Sequence, residues 1–232
     1  MTPTQVTLTR VTPTRAWQRM RSGRRLNLLD PSPLDIELDD IAHGLARVAR
    51  WNGQTQGEQA FSVAQHSLLV LEIFEARHPK ASGPARLTCL LHDAAEYVIG
   101  DMIAPFKAVL GGYYRETEAR LDAAIQTRFG LTSPTETTLK QRIKRADRIA
   151  AHVEAVQLAG FAPSEARRLF GNLPERLAVS PLAPLTAGQA KAAFIAAFTA
   201  LSPQTRPDNT TKNRVNSFNF LLNVIALSFK VD

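Results

Sequence analysis

Apolar residues recur at helical spacing through most of this 232-residue chain. An apolar-periodic run from Ile41 to Ala49 follows Asp39-Asp40. Ser62 and Gln65 have the spacing of a capping box, which predicts a helix opening there and carrying His66, with Pro79 and Gly83 at its far end. Ser82 and Pro84 suit the start of the next helix, which runs through Leu87, Leu90 and Leu91 to Tyr97 and stops at Gly100. Leu121, Ile125 and Phe129 are spaced at four in a helix predicted over Tyr113–Phe129, with Gly130 as its end signal. Ser133-Pro134 begins a long helix holding Ile143, Ile149, Val153 and Val156, ended near Gly160. Thr186 and Gln189 open a last helix through Phe194 and Phe198. Strand-like alternation is rare before the C-terminal tail, so the pattern predicts an all-α bundle without internal repeats.

Two stretches break this pattern. Residues Met1–Leu38 are basic and punctuated by proline, which predicts an irregular extension wrapped on the core. Ser202–Asn213 is a polar linker, and Phe218–Val231 beyond it is apolar in a different way from the alanine-rich helices. The expected organisation is therefore an extension over residues 1–38, a helical domain over 39–201, and a linker with an apolar tail over 202–232. An apolar tail of this kind, or a helical face, suits a homo-oligomer contact.

Composition narrows the setting. A hydrophobic share of 44% is ordinary for a globular chain able to bury one sizeable core. The single cysteine, Cys89, excludes an internal disulfide framework and fits a reducing cytoplasm; one helical turn before His92, it reads as a small buried apolar residue. The start of the chain lacks an apolar signal region, and no stretch reaches the ~18–20 apolar residues that span a bilayer. The net charge of +7 draws on an early concentration of Arg10, Arg15, Arg19, Arg21, Arg24 and Arg25. Such a balance favours anionic ligands. Aromatic residues are sparse in that segment, which disfavours a single-strand stacking platform and hence a nucleic-acid partner.

The candidate chemistry lies in His66, the adjacent pair His92-Asp93, and Asp147, each in an apolar stretch. A lone histidine in a helix is more often packed or capped than a ligand, and His-Asp is a common dipeptide. The set of four is a stronger signal. Burying that much polarity without partners costs on the order of 2–7 kcal/mol per group. Two imidazoles and two carboxylates form a mixed nitrogen and oxygen site suited to one divalent transition metal: Co, Mn, Zn or Fe, with Mg less natural. Glu96 follows His92 by four residues and Asp93 by three, which on a continuous helix places it on their face. His43 and His152 are expected in supporting or structural places, and His78 at a surface helix end.

In this order the four residues resemble the H…HD…D pattern of the HD-domain metal-dependent phosphohydrolases, and within them the bacterial 5′-deoxynucleotidases and related phage-type deoxynucleotide hydrolases. The resemblance runs from about Asp40 to Ala155. It includes Arg50-Trp51 ahead of His66, Glu96 after the His-Asp pair, and the segment Gly100-Asp101-Met102-Ile103-Ala104-Pro105-Phe106-Lys107, similar to Gly-Asp-x-x-x-Pro-x-Lys. It implies an HD-type helical bundle in which His66, His92, Asp93 and Asp147 bind one metal. It also implies an acid/base role for Glu96 and a catalytic or water-positioning role for Asp101, whose alternative is a turn-forming aspartate. Arg50 would pair with phosphate, and Trp51 would lie against the sugar and exclude a 2′-hydroxyl. Lys107 is either a second phosphate contact or a solvated lysine.

The expected activity is removal of the 5′-phosphate from deoxyribonucleoside monophosphates, with a small-molecule nucleotide as partner. The arginine-rich extension lies outside the resembling pattern and could instead meet β- and γ-phosphates, which leaves triphosphate hydrolysis as an alternative. A non-catalytic nucleotide sensor is the alternative of another class. The Gly-Tyr-Pro signature of cyclic dinucleotide phosphodiesterases is absent.

Overall fold

The computed structural model describes residues 16–110, 112–131, 137–174 and 179–202. The expected helix start at Ser133-Pro134 and the linker and apolar tail after residue 202 lie outside the described residues. Among those described, the architecture is helical, with one two-stranded sheet.

The helices are α1 (Leu38–Leu45), α2 (Val63–Arg77), α3 (Gly83–Leu90), α4 (Glu96–Ile99), α5 (Ala104–Leu110), α6 (Gly112–Arg128), α7 (Thr137–Gln157), α8 (Pro163–Phe170) and α9 (Ala187–Leu201). α2 is the centre of the molecule. It packs on α7, α3 and α9, while α1 lies against α4 and α9 and α8 lies against α7. Val63 to Leu71, Ile73 and Phe74 of α2 are all buried, so this helix has apolar neighbours on nearly every side. Each buried Leu, Ile or Phe of such a core contributes about 1.5–3 kcal/mol. No helix of the described residues is long and apolar enough to cross a membrane.

Capping places α2 and α9. Ser62 Oγ accepts from Gln65 N at the head of α2. The second half of that expected box is absent: the Gln65 amide instead donates to Ala183 O at 2.9 Å and accepts from Leu185 N at 3.0 Å, tying the approach to α9 onto α2. Thr186 and Gln189 form the full box at the head of α9.

Several elements depart from the sequence expectation. The run expected over Ile41–Ala49 is helical only to Leu45, because Ala49 pairs with Ser62 as an isolated bridge and Val63 N donates to Val48 O at 3.0 Å. α5 and α8 are additional helices.

The extension is not wholly irregular. β1 (Trp17–Arg19) and β2 (Arg25–Asn27) pair antiparallel with Gln18 opposite Leu26, and the turn between them uses Gly23 at φ +89°. Leu26 and Met20 enter the core. The arginines of this hairpin are matched locally. Arg21 meets Asp39 at 2.8 Å, Arg24 meets Glu37 at 2.9 Å, and the Arg25 guanidinium lies 4.2 Å from the Trp17 ring centre.

Candidate metal centre

Packing of α2 between α3 and α7 brings the four candidate ligands to one place. His66 is the fourth residue of α2 and is fully buried, with Ser62 capping the turn before it. Asp147 lies midway along α7. His92 and Asp93 were expected within a continuous helix to Tyr97. They sit instead in a tight turn between α3 and α4. Its backbone bonds close at three residues: His92 N to Cys89 O at 3.2 Å, Ala94 N to Leu91 O at 3.0 Å, and Glu96 N to Asp93 O at 3.0 Å. The tighter winding replaces the continuous-helix face expected for His92, Asp93 and Glu96.

The ligating atoms of His66, His92 and Asp147 all lie within 4.8 Å of one another. His66 Nε2 is 3.2 Å from Asp147 Oδ1 and 3.4 Å from Asp93 Oδ2, and His92 Nε2 is 3.2 Å from that same Asp93 oxygen. Despite these distances, both Nε2 atoms are buried without a hydrogen-bond partner. Each ring is instead held by its other nitrogen, His66 Nδ1 by Glu154 Oε1 at 2.6 Å and His92 Nδ1 by Cys89 O at 2.9 Å. A ring that donates through Nδ1 leaves a lone pair on Nε2, the form in which histidine binds metal. Two orphaned nitrogens facing carboxylate oxygens are the arrangement that a cation completes, and the His66, His92 and Asp147 group could hold one.

The charge balance agrees. Burial pushes both imidazoles toward neutrality, yet Glu154, Asp147 and Asp93 lift His66 well above its usual range, and Asp93 lifts His92. Asp93 is held well below the carboxylate range, mainly by His92 and His66 acting against burial; Asp147 is lowered by His66. Without a metal, protons on the rings offset this negative charge, together with the nearby Arg50 guanidinium. A divalent cation does the same while leaving the imidazoles neutral.

The other predicted residues form two groups around this centre. Glu96 opens α4, is 3% exposed, and keeps Oε2 without a partner. Burial and the nearby Asp93 and Asp101 push its carboxyl up to about 9. Lys107 lies 3.4 Å from Glu96 Oε1 and 2.9 Å from Glu118 Oε1, so it is an ion-paired lysine on the wall of the site. In the second group, Arg50 meets Asp101 at 2.8 Å with both side chains mostly buried. The Trp51 indole donates to Glu154 Oε2 at 3.1 Å and packs on Phe161 and Phe170, with ring centres 5.6 and 5.9 Å away.

Sequence reasoning missed Glu154, which is 0% exposed and bonds to both His66 and Trp51. It lies two helical turns after Asp147, in the same apolar stretch, but nothing in that spacing points to His66 or Trp51 as its partners. It also missed a stripe on α6, where Tyr114, Glu118 and Asp122 recur every four residues. All three act electrostatically on the Glu96 and Lys107 region or on its neighbours. His152 is structural, its Nδ1 bonded to Gly171 O at 2.7 Å, and His43 meets Arg47 at 3.1 Å. His78 caps the C-terminal end of α2. Cys89 is buried, as expected.

No protein-family model matches the chain. It is similar to an uncharacterized protein of Rhodobacter capsulatus, with 57% identity over 169 residues that cover 73% of this chain and 86% of that protein. It is also similar to the uncharacterized protein YfdR of Escherichia coli, with 31% identity over 170 residues that cover 72% of this chain and 85% of YfdR.

Proposed function

We propose that this chain, which belongs to the family of the uncharacterized Rhodobacter capsulatus protein and of Escherichia coli YfdR, is a metal-dependent phosphohydrolase that removes the 5′-phosphate from deoxyribonucleoside monophosphates. One observation carries the reading. Two buried, unpartnered Nε2 atoms face the Asp93 and Asp147 carboxylates beside a buried acid, Glu96, that also lacks a partner on one oxygen. The H…HD…D resemblance to HD-domain phosphohydrolases supports the same assignment.

His66, His92, Asp93 and Asp147 would hold the metal. Two imidazole donors favour Co, Mn, Zn or Fe over Mg. When bound, the ion supplies Lewis acidity toward a phosphate oxygen. The chain supplies the rest. Burial favours the neutral form of the Glu96 carboxyl, the form that can give its proton to the departing 5′-oxygen as water adds to phosphorus and the P–O bond breaks; the proton shed by that water restores the carboxyl. Lys107 Nζ, 3.4 Å from Glu96, stays charged beside the developing negative charge. Asp101 orients Arg50, whose remaining donors suit a phosphate oxygen. Trp51 walls the sugar side of that arginine.

Among the described residues, the monophosphate reading is favoured over triphosphate hydrolysis because Arg21, Arg24 and Arg25 are matched by Asp39, Glu37 and the Trp17 ring; Arg10 and Arg15 of the extension lie outside the described residues. The lone reduced Cys89 suits a cytoplasmic enzyme.

The test is metal analysis of protein purified without chelator, then kcat/KM for a matched deoxy and ribo monophosphate pair on the unsubstituted chain, Trp51→Ala and Arg50→Ala. The expected outcome is release of inorganic phosphate with preference for the deoxy substrate. Trp51→Ala should lose the preference, since an unpaired buried hydroxyl costs about 1–3 kcal/mol, and Arg50→Ala should weaken both substrates alike. Equal rates on the two sugars with the unsubstituted chain would remove the deoxynucleotidase assignment. Release of tripolyphosphate from deoxynucleoside triphosphates would replace it.

A further inference from the structure

Glu154 joins the two halves of the site, and its two oxygens do different work. Oε1 accepts from His66 Nδ1 at 2.6 Å. Oε2 accepts from Trp51 Nε1 at 3.1 Å and lies 3.4 Å from Arg50 Nε. The carboxylate is fully buried, so these contacts are what its charge depends on. The Arg50–Gly53 turn it holds is strained. Trp51 and the next residue, Asn52, both have left-handed backbone angles, at φ 57° and 51°. Consecutive non-glycine residues adopt that region only when their surroundings hold them there. The holding bonds are Arg50 N to Phe61 O at 2.8 Å, Gln54 N to Trp51 O at 2.9 Å, and the indole bond to Glu154.

We infer that Glu154 is a positioning residue that links metal occupancy at His66 to the seating of the Arg50–Trp51 turn. The inference rests on the metal reading of the site and adds a coupling to it. The metal-free ring already makes the Nδ1 bond to Oε1, but nothing holds its Nε2; a cation there would anchor the ring at both nitrogens and so fix the position from which it meets Glu154. Glu154 is thereby fixed in the rotamer that presents Oε2 to the indole and the guanidinium. Coupling of this kind is reciprocal. Loss of the indole N–H should therefore weaken metal binding, although its bond is to Glu154 and not to a ligand.

The chain has two tryptophans, and Trp17→Phe leaves Trp51 as the one emitter. Zn²⁺ alone is the probe, titrated against a competing chelator while Trp51 emission is followed. The emission is expected to change with the same midpoint as Zn²⁺ binding. Glu154→Gln keeps size and one acceptor oxygen; it is expected to bind Zn²⁺ about 10–100-fold more weakly and to show no emission change at saturation. Trp51→Phe keeps the ring packing and removes the N–H. It is expected to lower Zn²⁺ affinity several-fold with an unchanged circular dichroism spectrum, which purely local packing would not do. Zn²⁺ binding without a Trp51 response overturns the linkage and leaves the metal reading standing. So does unaltered Zn²⁺ affinity in both Glu154→Gln and Trp51→Phe. Failure of the unsubstituted chain to bind Zn²⁺ overturns both.

Discussion

His66 and His92 face each other with ring centres 5.4 Å apart, and each has given its Nδ1 to a protein oxygen. Their free Nε2 atoms are thus fixed by two independent supports, a side-chain carboxylate on α7 and a backbone carbonyl at the end of α3. Two buried imidazoles at this separation repel one another if both carry a proton. Asp93 and Asp147 relieve that repulsion in the metal-free protein, and a cation would remove it.

The carboxylates should accordingly be needed for metal retention. Asp147→Ala removes the oxygen 3.2 Å from His66 Nε2, and Asp93→Ala removes the one near both rings. Each variant is expected to lose its metal on dialysis, with affinity lowered by more than about a hundredfold, and to lose phosphatase activity with it. Elemental analysis per mole of protein checks this. A variant that kept both metal and full activity would not have lost a ligand.

Glu96→Gln keeps shape and burial but cannot give up a proton. Metal content and KM are expected to stay close to the original, while kcat falls by about 10²–10⁴-fold. Single-turnover measurement separates chemistry from product release. A loss of only a few-fold in the chemical step would sink the acid role.

How much of this was legible in the chain depended on the length of each signal. The helices holding His66 and Asp147 announce themselves over many residues, through the Ser62 cap and the spacing of Ile143, Ile149 and Val153. The turn at His92-Asp93 does not, because its apolar spacing is helical and only the backbone bonds show the tighter winding. The hairpin escaped because each strand has three residues, and β2 buries only Leu26, too little for alternation to register. Glu154 escaped for another reason. A lone buried glutamate has no motif of its own, and its meaning comes from Trp51, 103 residues away in sequence.

Gly44 gives a test of how α4, and with it Glu96, is held. A Cβ at Gly44 would lie 2.7 Å from Tyr97 O and 2.8 Å from Tyr97 Cβ, where α1 and α4 meet. Backbone cannot retreat as a flexible side chain would, so the cost of overpacking, about 1–3 kcal/mol, should exceed the ~0.5–1 kcal/mol that alanine gains over glycine inside a helix. Gly44→Ala is expected to lower Tm by a few degrees. It should also reduce turnover while metal is retained, because the displaced element carries Glu96 and no strong ligand. Unchanged Tm and turnover would mean that α1 and α4 can separate freely.

Asp122 predicts a pH dependence whose sign can be worked out. Burial, then the neighbouring Glu118 and Asp93 carboxylates, push its carboxyl from an ordinary 3.8 up to about 7. Between those values the folded chain holds a proton that the unfolded chain has released. The stability linked to this group is therefore fully present below about pH 4 and is lost as pH rises through about 7. Asp122→Asn stays neutral throughout and removes the slope. In chelator-treated protein, the Tm of Asp122→Asn relative to the unsubstituted chain should rise from pH 4 toward neutrality and level off near pH 8. The gain should be roughly 1–2 kcal/mol, allowing for the solvent that reaches a partly exposed carboxyl. Saturating Zn²⁺ should shrink it, because a cation beside Asp93 offsets one of the charges that raise Asp122. A difference independent of pH would show that Asp122 is ionised throughout, and one unaffected by Zn²⁺ would uncouple it from Asp93.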